Sequence, residues 1–325
     1  MAPGVGPGSQ CPLDLGRIFE LTFSLFRFNW RTFVVAALLV MVPVSALLAV
    51  AGYFTSNATM DWYVQLQNLA LGRTTSFPST DTLVVLLFGL LIGAIAAIGS
   101  FVAEAAVTRA AAGTYNGERP NAVDSVRFAL SRLLVLAAAY LVTFLASLGI
   151  AIVGVLVATL LIVATSGGGQ ITGGPGVFVA IVIFVAAFAA LIFLTVRWAL
   201  VIPVIVIEGL GPIAALRRSW GLVSGSSWRV LGYLLVFGLL FGLAAALMTF
   251  GLTAIVNPAS LTTQAVTATF DPVRLAAVNF GGNIINAVLM PFTAIGMMLL
   301  YMDLRFRKGE PVAQPGEAVP DRPAS

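Results

Sequence analysis

Histidine is absent from all 325 residues, and cysteine and lysine each occur once. Each gap excludes chemistry. Without imidazole there is no histidine acid–base catalysis, no Ser-His-Asp triad and no His-containing metal site. The lone Cys11 cannot close an internal disulfide, and a cysteine zinc cage is excluded. The single lysine, Lys308, sits among other charges beyond the last apolar run, a poor setting for a Ser–Lys dyad. No GxxxxGK[ST] phosphate loop occurs, and the acidic residues are scattered singly, so no aspartate cluster can hold paired Mg²⁺. The sequence therefore predicts no enzyme activity, no metal and no cofactor.

Charge is scarce too. Charged residues make up 9% of the chain and hydrophobic residues 59%, whereas a soluble domain is about 25% charged. Six apolar runs fill most of the sequence, at 33–54, 82–104, 133–164, 177–207, 230–256 and 279–302. A bilayer crossing takes about 20 apolar residues. The expected fold is all-α, a polytopic integral membrane bundle of six transmembrane helices. The first 32 residues are polar or amphipathic and lack a short apolar stretch with a cleavage site, so no signal peptide is expected.

If the runs alternate, fifteen of the 17 basic residues fall on one side and only Arg73 and Arg274 on the other. This positive-inside bias predicts cytoplasmic N- and C-termini in a multi-pass protein of the cell membrane. The net charge of +4 reflects basic residues flanking spans, which argues for the lipid bilayer and its anionic headgroups as partner and against nucleic acid. The Arg-over-Lys, Ala/Gly-rich composition points to a GC-rich bacterial genome.

A cytoplasmic amphipathic stretch precedes each pair of spans. Ile18, Leu21, Leu25 and Phe28 recur at 3, 4, 3 spacing, as do Ile213, Leu216, Trp220 and Val223; a shorter version holds Val123, Val126 and Leu130. Such spacing aligns apolar side chains on one helical face. Gly117–Ala122 aligns with Gly209–Ala214, and Trp30-Arg31 with Trp228-Arg229. These identities suggest a membrane domain over 1–308 built from three units of interfacial helix plus transmembrane hairpin, about 12–112, 113–207 and 208–308. The three hairpins would surround a pseudo-threefold axis along the membrane normal. Residues 309–325 read as a disordered cytoplasmic tail.

Polar groups near the spans are the candidate sites. Glu104, Arg109, Arg197, Glu208, Asp303 and Arg305 touch the ends of apolar runs, which suggests a cytoplasmic ring of ion pairs. Pro203 predicts a kink in span 4. Asn279, Asn283 and Asn286 share one face of span 6 and call for helix contacts or a water-filled cleft. Gly89/Gly93 and Gly238/Gly242 have the spacing of close helix contacts. Trp62 and Tyr63 suit an external interfacial segment.

The run Arg197-Trp198-Ala199-Leu200-Val201-Ile202-Pro203, then Glu208-Gly209, Ala215-Leu216-Arg217-Arg218-Ser219-Trp220, Gly225, Trp228-Arg229 and Leu300-Tyr301-Met302-Asp303-Leu304-Arg305, resembles the glycerophosphoryl diester phosphodiesterase membrane-domain family. The resemblance implies a stand-alone member without the catalytic domain found in some relatives. Its family-like positions here are Arg197, Pro203, Glu208, Arg217, Arg218, Ser219, Trp220, Trp228, Asp303 and Arg305, and the paired arginines suit a phosphate or anionic headgroup. The expected role is a non-enzymatic accessory or lipid-associated membrane module, with a membrane protein as a further partner; a small transporter or permease is the alternative.

Overall fold

The computed structural model describes residues 14–70, 80–165, 175–256, 258 and 271–310. These residues are helical and contain no strand. In chain order the helices are α1 (Leu15–Ala70), α2 (Thr80–Tyr115), α3 (Ala122–Ser131), α4 (Leu133–Thr165), α5 (Pro175–Trp198), α6 (Val201–Glu208), α7 (Pro212–Val223), α8 (Ser227–Val256) and α9 (Pro272–Arg307). Six segments are long and apolar enough to cross a bilayer: Leu15–Thr55, Leu87–Tyr115, Leu133–Leu160, Ile181–Glu208, Ser227–Val256 and Pro272–Arg307. Each contains most of one apolar run read from the sequence.

The helices overshoot those runs. Interfacial stretch and span are continuous in α1, broken only at Asn29 (φ −137°, ψ 35°). The Asn29 amide reaches the Thr114 hydroxyl on α2 at 3.4 Å. At its other end α1 runs to Ala70, through residues expected to be loop. The side chains of Trp62 and Tyr63, like the tail after 310, lie outside the described residues.

By contacts the chain divides into two units: Met1–Leu133 with Leu235–Leu299, and Leu134–Leu234 with Leu300–Ser325. In the first, α1, α2 and α3 pack through small side chains. Ala103, Ala105, Ala106, Val107, Ala110 and Ala111 of α2 are buried, as are Phe33, Ala36 and Ala37 of α1. Helix contact in lipid lacks the hydrophobic drive that water supplies, so close approach of backbones carries the association. Gly99 permits it, because a Cβ there would sit 2.7 Å from Val44 Cγ2. A phenylalanine cluster adds to this unit: Phe26 lies 4.1 Å from Phe292, Phe292 4.8 Å from Phe241, and Phe237 4.1 Å from Phe19, between ring centroids.

Gly89, Gly93, Gly238 and Gly242 correct an expectation. A Cβ at any of them would meet nothing within 4 Å. Their neighbours Leu90, Leu91 and Leu239 are exposed, so these glycines lie on open faces. Contact glycines include Gly99, Gly154 against Ala187 of α5, and Gly281 and Gly282 against Leu252 and Thr249 of α8.

In the second unit, α6 forms the core. Val201 through Ile207 are all buried, as a helix apolar all round must be. The break before α6 falls at Ala199–Leu200, upstream of Pro203. Proline clashes with the carbonyl four residues back, here Ala199, and its missing N–H costs nothing in a first turn. Pro203 thus ends α5 and starts a new helix, so the kink expected in span 4 is a full helix break within Ile181–Glu208. The chain leaves α6 through Gly209 in the left-handed conformation (φ +68°), and α7 begins at Pro212 in its first turn.

Candidate functional site: a buried ion network beside an unpaired arginine

Glu208 ends α6, where the helix dipole disfavours an anion. Its side chain is 2% exposed. Three groups compensate. Arg218 Nε on α7 donates to both carboxylate oxygens at 3.1 and 3.0 Å, and the Tyr301 hydroxyl donates at 2.6 Å. Arg305 Nη1 lies 4.0 Å away and itself donates to the Tyr301 oxygen at 3.0 Å. The outer edge of Arg218 meets Glu310, with Nη1 at 2.9 Å from Oε1 and Nη2 on Oε2. Arg305 Nε completes the set at 3.4 Å from Glu310 Oε2. Two carboxylates and two guanidiniums thus interlock around one phenol. The bond to Glu310 raises the Arg218 pKa above its ordinary value; the charge of Glu208 adds to this, and together they outweigh burial. Arg218 is therefore permanently a cation.

A second set surrounds Asp303, whose carboxylate is fully buried. Arg229 Nε and Arg307 Nε each lie 3.0 Å from its Oδ2. Arg307 also donates to Oδ1 at 3.2 Å.

Ser219 positions the neighbouring face. Its hydroxyl donates to the Arg197 carbonyl at 2.9 Å and accepts from the Leu200 N–H at 3.2 Å. One side chain on α7 thereby satisfies two backbone groups at the α5–α6 break, which burial would otherwise penalise. The consequence is local: α7 is pinned where Trp220 covers Arg197. The Arg197 guanidinium carbon lies 5.0 Å from the Trp220 ring centroid and 5.0 Å from that of Phe193. Its Nε and Nη1 are buried without a hydrogen-bond acceptor, and no described carboxylate pairs with it. Arg217, one turn before Trp220 on the same face, is exposed and likewise has no ion-pair partner among the described residues.

The six charges at the span ends therefore split. Glu208, Asp303 and Arg305 enter ion pairs. Glu104, Arg109 and Arg197 enter none among the described residues, and Arg109 instead lies 4.9 Å from the Phe128 ring centroid. The expected arginine pair splits as well: Arg218 is committed to acids while Arg217 is open. Pro203 acts through the backbone, and Trp228 is 85% exposed. On α9, Asn286 Nδ2 donates to Gly282 O of its own helix at 2.9 Å. Asn279 lies beside Gly52, and Asn279, Asn283 and Asn286 make no hydrogen bond to another helix among the described residues. Sequence reasoning left Tyr301 out of the candidate set, although it stands in the closing motif, and missed Glu310 by assigning it to the disordered tail. A lone acid one residue beyond a glycine that closes a helix was the available signal.

Helices of this length and apolarity, with ions confined to their ends, define an all-helical, multi-pass membrane protein. Residues 176–312 match the family described as the membrane domain of glycerophosphoryl diester phosphodiesterase. The resemblance carried by the 197–229 and 300–305 motifs thus holds, and both ion clusters lie inside the matched stretch. No curated protein and no solved structure matches the chain.

Proposed function

We propose that this protein is a non-enzymatic, lipid-associated accessory module of the cell membrane, with both termini cytoplasmic, built from three repeats of interfacial helix and hairpin. The observation that carries this reading is Arg197: a guanidinium held between two aromatic rings, with no acid paired to it among the described residues, beside the exposed Arg217. Cation–π contact holds the charge in place, and this positive charge beside the exposed Arg217 guanidinium suits the phosphate of an anionic headgroup. The exposed apolar residues of the short helices agree. Val123 and Leu130 on α3, and Ile213 and Trp220 on α7, face outward, as on a helix lying in the headgroup layer. The positive-inside asymmetry supports the cytoplasmic assignment.

The test compares wild type with Arg197→Gln plus Arg217→Gln in nanodiscs of mixed phosphatidylglycerol and phosphatidylcholine. Native mass spectrometry should show phosphatidylglycerol retained by wild type and lost from the double variant. Equal retention would remove the reading.

The transporter alternative draws on α9. Asn279 and Asn286 are exposed amides within an apolar helix, and amides in lipid require partners. A water path or a second membrane protein would each supply them. Cysteines introduced at Asn283 and Asn286 that label from aqueous solution would favour the path; labelling blocked by a co-purified protein would favour the accessory role.

A further inference from the structure

Glu310 differs from every other member of the ion network in how it is held. Arg218 and Arg305 stand within helices, Glu208 closes α6, and Tyr301 is on α9. Glu310 follows the end of α9, one residue past Gly309, whose left-handed turn (φ +69°) reverses the chain. Two backbone bonds hold that turn, Gly309 N to Phe306 O at 2.9 Å and Glu310 N to Arg305 O at 3.1 Å. The turn returns the carboxylate to Arg218 and Arg305.

What the carboxylate occupies has the form of an anion site. Both Nη atoms of Arg218 address its two oxygens, and Arg305 Nε approaches from the side. A forked guanidinium with a second guanidinium beside it fits two oxygens of a phosphoryl group as well as a carboxylate. The inner edge of Arg218 is independently fixed by Glu208, so the outer edge keeps its orientation when Glu310 leaves. The Arg305 side chain is 4% exposed, Glu310 15% and Arg218 27%, so the site runs from the interior at Arg305 to the outside at Arg218. Withdrawal of Glu310 takes a carboxylate from both guanidiniums, and an anion entering in its place restores the charge balance.

We propose that Arg218 and Arg305 form a binding site for a terminal phosphate group, and that Glu310 is its built-in competitor, displaced when the phosphate enters. This site is separate from the Arg197 face and does not depend on it. The same chemistry could arrive as free inorganic phosphate or as the headgroup of phosphatidic acid. In either case the apparent affinity is lowered by the fraction of molecules whose site Glu310 fills.

The full chain in phosphatidylcholine nanodiscs provides the test. Thermal unfolding is followed as inorganic phosphate is added, with chloride at matched ionic strength as the control. Glu310→Ala should unfold at a lower temperature than wild type, recover with phosphate but not chloride, and bind phosphate at least tenfold more tightly. Arg218→Gln in the same background should abolish the response, and Arg197→Gln should leave it intact. In nanodiscs containing phosphatidic acid, enrichment of that lipid on Glu310→Ala over wild type identifies the membrane source; a response to free phosphate alone identifies the soluble one. A folded Glu310→Ala protein that responds to neither overturns the proposal and leaves Glu310 a structural counter-ion. Should that variant fail to fold, Glu310→Gln, which keeps an oxygen on Arg218, is judged by the same criteria.

Discussion

The two units solve the same problem by opposite means. In the unit containing α1, α2 and α3, helices meet through alanines, Gly99 and a phenylalanine cluster, and its described buried polar groups are hydroxyls such as Thr22, Ser45 and Thr108. In the other, helix ends are joined by Glu208, Asp303 and the arginines around them. Apolar packing is tolerant: losing one contact removes one increment of dispersion and shape. A buried ion network is not, because removing one member strands the others. The difference teaches where each unit is fragile: the second, whose ion network falls within the family-matched residues 176–312, is the one that loss of a single charge can break.

The largest effect should therefore come from Glu208. Glu208→Ala removes a carboxylate that Arg218 and Arg305 share and leaves the Tyr301 hydroxyl without the acceptor it has here. Breaking such a buried pair costs about 3–5 kcal/mol. The expected outcome is a large loss of thermal stability in detergent, with proteolysis beginning near the α6–α7 connection. A loss no greater than that of an exposed substitution such as Arg17→Ala would mean that the network does not hold this unit together.

Next is Phe237→Ala in the other unit. Phe237 is buried against Phe19 and Phe241. Each aromatic pair contributes roughly 0.5–1.5 kcal/mol beyond area burial, so about 1–3 kcal/mol should be lost. Phe237→Met, which refills the space and offers a sulfur to both rings, should restore much of it, whereas Glu208→Gln should restore little, since an amide cannot neutralise two guanidiniums. Equal rescue at both positions, measured by thermal unfolding in one detergent, would erase the contrast between the units.

Ser219→Ala follows. The substitution leaves the Arg197 carbonyl and the Leu200 N–H without their hydroxyl, at about 1–3 kcal/mol for buried groups left unpaired. It should also free α7 to shift, so Trp220 fluorescence should change while that of a Ser131→Ala control does not. A stability loss without a Trp220 signal would mean that Ser219 satisfies the break but does not position the ring.

Much of this architecture was legible in the sequence, for physical reasons. A bilayer demands about 20 apolar residues per crossing, and the runs met that demand plainly enough to give the all-α class and six spans. Pro203 announced a discontinuity, and the clash with the carbonyl four residues earlier explains why it appears at Ala199. What remained illegible was pairing. Charge spacing shows that Arg217 and Arg218 are adjacent, but adjacent positions on a helix point about 100° apart, so one turned inward to Glu208 and the other outward. Nor does local sequence reveal that Glu310 meets Arg218, a contact across 92 positions.

The smallest effect tests the glycines, where spacing alone was most misleading. A small-xxx-small pattern records which residues share a helical face, but not whether a neighbour covers it. Gly238 and Gly242 have the pattern and face open space; Gly99 lies against Val44. Alanine at Gly238 or Gly242 should therefore leave stability unchanged or raise it by up to about 1 kcal/mol, the difference in helix propensity between the two residues. At Gly99 the added methyl must displace a branched side chain that is short and stiff at χ1, and overpacking of this kind costs typically about 1–3 kcal/mol. The two effects have opposite sign, which makes the pair more informative than either alone. Thermal unfolding of both variants beside wild type checks it. Destabilisation at Gly238 matching that at Gly99 would show that this face of α8 is covered in the membrane and would erase the contrast between the two glycines.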